Sequence, residues 1–252
     1  MAEKSYPNPP IAEAVISLQF RQEAPFECSQ VNQVGRLLAS KFPNSSPIHL
    51  FEVNFGVVPE DMSAANRRES PRPKEVGLRL ANDLNNRVLQ IQQNSFTFSH
   101  MAPYSSWESF KDEVVELWNL FIENYPALTV TKVSTRFINR ISIPKESIEL
   151  HDYFHLYPKI PEGIPQDVTG MLLQLQMAQK DIGDATAVIN LALAEPNLPN
   201  HLAVILDIDL FTEVPALPSN SSALWQQLDK SRQRKNELFE AFITDETRKL
   251  FQ

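Results

Sequence analysis

Apolar residues recur along this chain with two different periods, and the switches between them divide it into strands and helices. From Ile11 to Arg21, Val15, Ser17 and Gln19 alternate with Ile16, Leu18 and Phe20, which gives a strand with one apolar and one mixed face. The preceding Tyr6-Pro7-Asn8-Pro9-Pro10 is extended, because proline fixes φ and biases its predecessor toward β or polyproline conformations. Val31, Val34, Leu37, Leu38 and Phe42 then fall at helical spacing and predict a helix over Ser29 to Phe42, capped by Ser29. A second strand is expected over Ile48 to Val58, between Pro47 and Pro59. The polar stretch Glu60 to Lys74, poor in β-branched residues, reads as an exposed loop. Val76 to Ala81 and Arg87 to Gln93 have the pattern of a hairpin around Asp83-Leu84-Asn85-Asn86, and Phe96 to His100 continues the meander.

At Ser105 the period lengthens. Phe110, Val114, Leu117, Trp118 and Phe121 mark one helical face, Ser105 and Glu108 have capping-box spacing, and Pro126 closes the helix. Leu128 to Ile143, rich in Val, Thr, Phe and Ile, is a long strand closed by Pro144. Lys145 to Asp167 is irregular, with Pro158, Pro161 and Pro165. Val168 to Gln179, Ala185 to Ala194 and Leu202 to Phe211 are three further strands, the first two joined by a turn at Asp181-Ile182-Gly183-Asp184. Glu213 to Ser222, with Pro215 and Pro218, reads as a linker. Leu224, Leu228, Lys235, Leu238, Phe239 and Phe242 define a last long helix, and a short turn follows at Thr244 to Leu250. The sequence therefore predicts an α+β fold, an antiparallel curved sheet with helices packed on one face. The order strand, helix, strands, helix occurs twice, so one compact unit built from two similar halves, 1–127 and 128–252, is expected.

Composition narrows the chemistry. The 252 residues hold 6 Gly and 19 Pro, against an average glycine share of roughly 7%. Phosphate-cradling loops need clustered glycines, and Gly35, Gly56, Gly77, Gly163, Gly170 and Gly183 stand far apart, so neither a P-loop nor a dinucleotide-binding motif is present. Lys and Arg number 23 against 31 Asp and Glu, a net charge of −8 that repels nucleic acid and anionic membrane. A single cysteine, Cys28, forms no internal disulfide and builds no thiolate zinc site alone, which favours a reducing compartment. With neither a signal sequence nor a long apolar run, the expected address is the cytoplasm.

Tyr6-Pro7-Asn8-Pro9-Pro10-Ile11-Ala12-Glu13-Ala14-Val15, Ala102-Pro103-Tyr104-Ser105-Ser106-Trp107, Arg136-Phe137-Ile138-Asn139-Arg140, Leu206-Asp207-Ile208-Asp209 and Leu238-Phe239-Glu240-Ala241-Phe242-Ile243-Thr244-Asp245 occur in this order. Together they resemble a sporadically distributed, uncharacterised bacterial family of about this length, over nearly the whole chain. The family has no settled biochemical role. Its patchy occurrence resembles that of immunity, toxin-antitoxin and phage-defence genes, and that setting is what the resemblance implies.

Several residue pairs could carry chemistry. Asp207 and Asp209 lie two apart on a strand and share a face, as paired carboxylates do when they hold a divalent metal. No Gly-Ser phosphate turn precedes them, and a solvated or salt-bridged outer face is the competing reading. Arg136 and Arg140 also share one face, with Asn139 on the other. They form a candidate anion grip together with Asn139, or a structural network with the two aspartates. His151 and His155 have the i, i+4 spacing of zinc ligands but lack a third. Arg67, Arg68, Arg72 and Lys74 in the polar loop, with Lys230, Arg232, Arg234 and Lys235 on the last helix, are the basic concentrations and candidate contacts for an acidic partner. No nucleic-acid-binding motif accompanies them. The reading that follows is a non-enzymatic protein acting through protein contacts, with no cofactor. A small-ligand or nucleotide-binding sensor using Arg136, Asn139 and Arg140 is the first alternative, and a metal-dependent phosphoryl-transfer enzyme using Asp207 and Asp209 the second.

Overall fold

The computed structural model describes residues 6–22, 27–50, 73–125, 127–163, 165 and 168–252. Their alternating apolar stretches assemble into one open nine-stranded antiparallel sheet, with helices packed on one face, as the sequence predicts. The first part of the chain contributes β1 (Ile11–Arg21), α1 (Cys28–Leu37), β2 (Asn44–Leu50), β3 (Lys74–Ala81), β4 (Arg87–Gln92), β5 (Ser95–Met101) and α2 (Trp107–Asn124). The second contributes β6 (Thr129–Ile143), a one-turn α3 (Leu150–Tyr153), β7 (Leu172–Gln179), β8 (Ala185–Ala194), β9 (Leu202–Pro218), α4 (Ser222–Phe242) and a short α5 (Asp245–Lys249). The strands lie in the order β2-β3-β4-β5-β1-β6-β9-β8-β7. Outward from the central β1–β6 pair, both sides therefore run first strand, last strand, then the preceding strands in reverse, and the β1 side carries β2 as an additional outer strand.

Strand alternation sorts the side chains into two faces. Ala14, Ile16, Leu18 and Phe20 of β1, Val133 and Phe137 of β6 and Leu206, Ile208 and Leu210 of β9 are buried beneath the helices. One buried cluster joins β1 to β5 with α1, α2 and the start of α4; another joins the β6 to β9 side with Phe239, Ile243 and Phe251. In α2, Ser106 rather than Ser105 is the N-cap, and its hydroxyl accepts the Ser109 N–H at 3.1 Å. In α1, Ser29 does not cap: Glu27 occupies that position, and the Ser29 hydroxyl donates to the Glu27 carboxylate. Close approach fixes Gly77, where a Cβ would lie 2.2 Å from the Ile91 carbonyl oxygen.

The larger boundary differences from the sequence reading lie in one helix and three strands: α1 ends at Leu37 rather than Phe42. β2 starts at Asn44, since Asn44 to Ile48 pair with Ala81 to Gly77, and Pro47 is tolerated because β2 is the sheet edge among the described residues. The remainder of the predicted strand, 51–58, lies outside the described residues. β9 continues to Pro218 where a linker is predicted: a bulge opposite Val130–Lys132 takes up Val214, Pro215 and Ala216, and the strand then resumes against β6. β7 begins at Leu172, four residues later than its apolar pattern suggests.

The two described ends of the chain meet. The Asn8 N–H donates to the Phe251 carbonyl at 3.0 Å, Asn8 Nδ2 to the Gln252 carbonyl at 3.3 Å, and the Tyr6 hydroxyl to Glu240 at 2.7 Å. Burial and the Glu240 carboxylate push the Tyr6 phenol up to about 12.

Candidate functional site

No helix of the described residues packs on the other face of the sheet. On β6 this face carries Lys132, Ser134, Arg136, Ile138 and Arg140, and on β9 Ile205, Asp207, Asp209 and Phe211. The register sets Arg136 directly opposite Asp209, yet both polar contacts run diagonally to the next residue on this face. Arg136 donates from Nε and Nη2 to the two oxygens of Asp207 at 2.8 and 2.7 Å, a bidentate pair. Ser134, opposite Phe211, donates to Asp209 Oδ1 at 2.5 Å.

The network continues across the sheet. Asn190 of β8, opposite Asp207, donates to Asp207 Oδ2 at 3.0 Å, and Gln174 of β7 donates to Asn190 Oδ1 at 2.7 Å. Four strands are thus linked by a chain of donors that ends on the carboxylate of Asp207, a residue only 4% exposed. Its hydrogen bond to Asp207 raises the Arg136 guanidinium above its ordinary value, against the opposing effect of burial. Burial pushes the Asp209 carboxyl up, opposed by the Ser134 hydrogen bond and the Arg136 charge. Beside them Lys132 Nζ sits 3.7 Å above the Phe211 ring centroid. On the β1 side the same face carries Glu13 and Arg21 of β1 and Arg79 of β3, with Ser17 and Thr97 sharing a hydroxyl hydrogen bond of 2.8 Å.

The candidate anion grip is not assembled. Strand alternation buries Asn139 on the helix face, where Nδ2 donates to the Leu206 carbonyl at 3.0 Å. Arg140 turns to the loop after β8, donating to the Glu195 carbonyl and to Asn197 Oδ1. Arg136 is held by Asp207. The three residues therefore serve three separate sites, and the structural network between arginine and aspartate is the arrangement present. The carboxylates of Asp207 and Asp209 accept hydrogen bonds from Arg136, Asn190 and Ser134. Among the described residues no three His, Cys, Asp or Glu side chains gather in a metal-binding group. His151 and His155 do not share a helix, since α3 ends at Tyr153; His151 lies beside Glu149 and Asp152 on the surface.

The basic positions also separate. Arg67, Arg68 and Arg72 lie outside the described residues, and Lys74 is exposed at the start of β3. Arg234 is committed to Asp181, Gln179 and Glu237. Arg232 is half-buried, and Lys235 points inward with Nζ 3.9 Å from the Phe137 ring centroid. The α4 cations are therefore no continuous patch. Cys28, half-buried at the start of α1, donates weakly to the Glu75 carbonyl at 3.6 Å, and burial raises its thiol above the ordinary value, which disfavours the nucleophilic thiolate.

Ser134, Asn190 and Gln174 complete the network without any sequence signal. Each is one polar residue on the outer face of an alternating strand, and only the pairing register brings it to Asp207 or Asp209. Two open depressions lie elsewhere, one of about 390 Å³ between Lys41, Asn82, Arg87 and Glu113 and one of about 450 Å³ along α1 at Asn32, Arg36 and Ser45. In the first, Glu113 already bridges Lys41 and Arg87 at 3.4 and 3.1 Å. No described helix is long and apolar enough to cross a membrane. No protein-family model matches the chain, and no curated protein matches it.

Proposed function

We propose that this is a non-enzymatic binding protein that acts through protein contacts made by the uncovered face of its sheet. The observation that carries the reading is the Gln174–Asn190–Asp207–Arg136 network: its polar groups neutralise and orient one another across four strands, giving a fixed surface rather than a reactive group. A surface whose side chains are already ordered loses little conformational entropy on docking. Its donors and acceptors, the Ser17–Thr97 pair, Asn190, Gln174 and the remaining N–H groups of Arg136, suit a partner patch that hydrogen-bonds more than it pairs charge. The bacterial cytoplasm and an immunity, antitoxin-like or phage-defence role form the setting suggested by the family resemblance.

The test is capture of a partner from the native host, followed by binding of the purified pair. Lysines at Ser17 and Gln174, one on each side of the face, are expected to weaken that binding at least tenfold with the melting temperature retained. Recovery of no specific protein, or binding indifferent to both substitutions, overturns the reading.

A further inference from the structure

Among the described residues the sheet has two edges, β2 and β7, and only β2 is guarded. β2 carries Pro47 and a bulge between Ile48 and His49, both of which discourage another strand from adding to it. β7 at the other end, Leu-Leu-Gln-Leu-Gln-Met-Ala-Gln from 172 to 179, has no charge, no proline and no bulge in its pairing with β8. Among the described residues no strand pairs with its outer side. Leu172, Leu175 and Met177 are 74%, 36% and 37% exposed.

We propose that β7 is a self-association edge, at which a second copy of this chain adds its own β7 antiparallel across a two-fold axis and joins two nine-stranded sheets into one. The direction of the peptide groups permits it. Leu193 N–H bonds to the Met171 carbonyl at 3.1 Å and Leu172 lies opposite Ala192, so Leu173, Leu175 and Met177 direct their backbone groups at β8. The N–H and C=O groups of Leu172, Gln174, Gln176 and Ala178 consequently point outward. With the axis at Leu175, Gln174 of one copy pairs with Gln176 of the other, and Leu172 with Ala178, all four through outward-pointing groups.

The same register is chemically self-complementary on both faces. Leu175 meets Leu175 and Leu173 meets Met177 on the helix side, while glutamine meets glutamine on the open side. The flanking charges, Lys180 and Asp181, fall opposite Gly170 and Thr169, so no like charges oppose each other although each chain carries −8. A one-residue slip would set the apolar row of one copy against the glutamine row of the other, which selects this alignment. An isologous contact of this kind closes at two copies. It concerns like chains and stands whether or not the open face binds another protein.

Size-exclusion chromatography with light scattering over micromolar to millimolar concentration tests it. The expected mass is twice 28.7 kDa, falling to the monomer on dilution. Gln176→Pro removes an outward N–H without touching the bonds to β8, and Leu175→Lys sets two ammonium groups opposite each other at the axis. Both are expected to be monomeric with unchanged far-ultraviolet circular dichroism, and if Leu175→Lys fails to fold, Gln176→Pro decides alone. A wild-type chain that stays monomeric throughout, one that uses β7 only to bind another protein, or a dimer that survives the folded variants overturns the proposal.

Discussion

The β1 and β6 sides of the sheet share a strand order and fill it with different chemistry. Beneath the helices the β1 side is aromatic: Phe20, Phe42, Phe96, Phe98, Phe110, Trp118 and Phe121 are buried, with Phe96 and Trp118 edge to face at 5.2 Å. The β6 side is mainly aliphatic, built on Ile141, Ile189, Leu191, Val204, Leu206, Ile208 and Leu210. On the open face the contrast is of another kind, hydroxyls at Ser17 and Thr97 against the charged network of Arg136, Asp207 and Asp209. The shared topology sets where strands lie but leaves each face free to take its own chemistry. On the open face the hydrogen-bonded network that crosses four strands lies on the side that also ends in the unguarded edge.

Four measurements break or sharpen this contrast. The largest effect is expected from Trp118→Ala, which removes a fully buried ring and its Nε1–H bond to the Ser219 carbonyl at 2.8 Å; a loss of about 4 kcal/mol in denaturant unfolding is expected, against about 3 kcal/mol for Leu206→Ala on the other side. Equal losses would show that ring packing adds nothing to the β1 side. Asp207→Ala leaves Asn190 and the partly exposed Arg136 without their shared acceptor, at an expected cost of about 2 kcal/mol, and Asp207→Asn, which keeps one acceptor, should lose less. If Asp207→Ala unfolds at the wild-type midpoint, the network is decorative.

His100 gives the β1 side a pH dependence. Burial and the nearby Arg87 charge lower its ring below the ordinary 6.5, opposed by the hydrogen bond to the Pro103 carbonyl. The unfolded chain therefore binds the proton first, and the stability of the neutral buried ring is lost as pH falls through 6.5 toward the folded value. Melting temperature should drop between pH 7 and 5, and the drop should shrink in His100→Phe; an identical slope in the variant would assign it elsewhere. Asp209 is the smallest and has the opposite sign. Its raised carboxyl makes the folded state hold a proton more tightly, so stability is lost as pH rises through the ordinary 3.8 toward the folded value. Asp209→Asn should raise stability at neutral pH by less than about 1 kcal/mol, and a clear decrease would show that the Ser134 bond outweighs the burial.

Local periodicity made most of this fold legible. β1, β4, β5, β8 and the apolar face of α2 stand almost where the alternation and the helical spacing put them, because each buries a single face against one layer. Where tertiary pairing overrode local chemistry, the sequence was silent. Pro215 looks like a strand terminator, but it sits in the bulge between the paired residues Glu213 and Leu217, beyond the β8 pairing that stops at Thr186 opposite Phe211, so the missing N–H costs no ladder bond. α3 is four residues and shows no period. At the site, spacing put Arg136 with Arg140 on one strand face and Asp207 with Asp209 on another, and left their cross-strand pairing as one of two readings; the register put Arg136 and the two aspartates on one face. That Asp207 and not Asp209 takes the guanidinium depended on diagonal contacts, and that Asn190 and Gln174 complete the chain depended on register.

The meeting of residues 6 to 8 with the last two of the chain has a mechanical consequence. A pull applied between the two described ends would first load the Asn8 bonds to Phe251 and Gln252 and the Tyr6–Glu240 contact, a handful of bonds drawn apart one after another. The long β1–β6 and β6–β9 ladders would carry no tension until that clasp had opened. Its resistance should therefore be low and its extension short, and the sheet would remain whole beneath it.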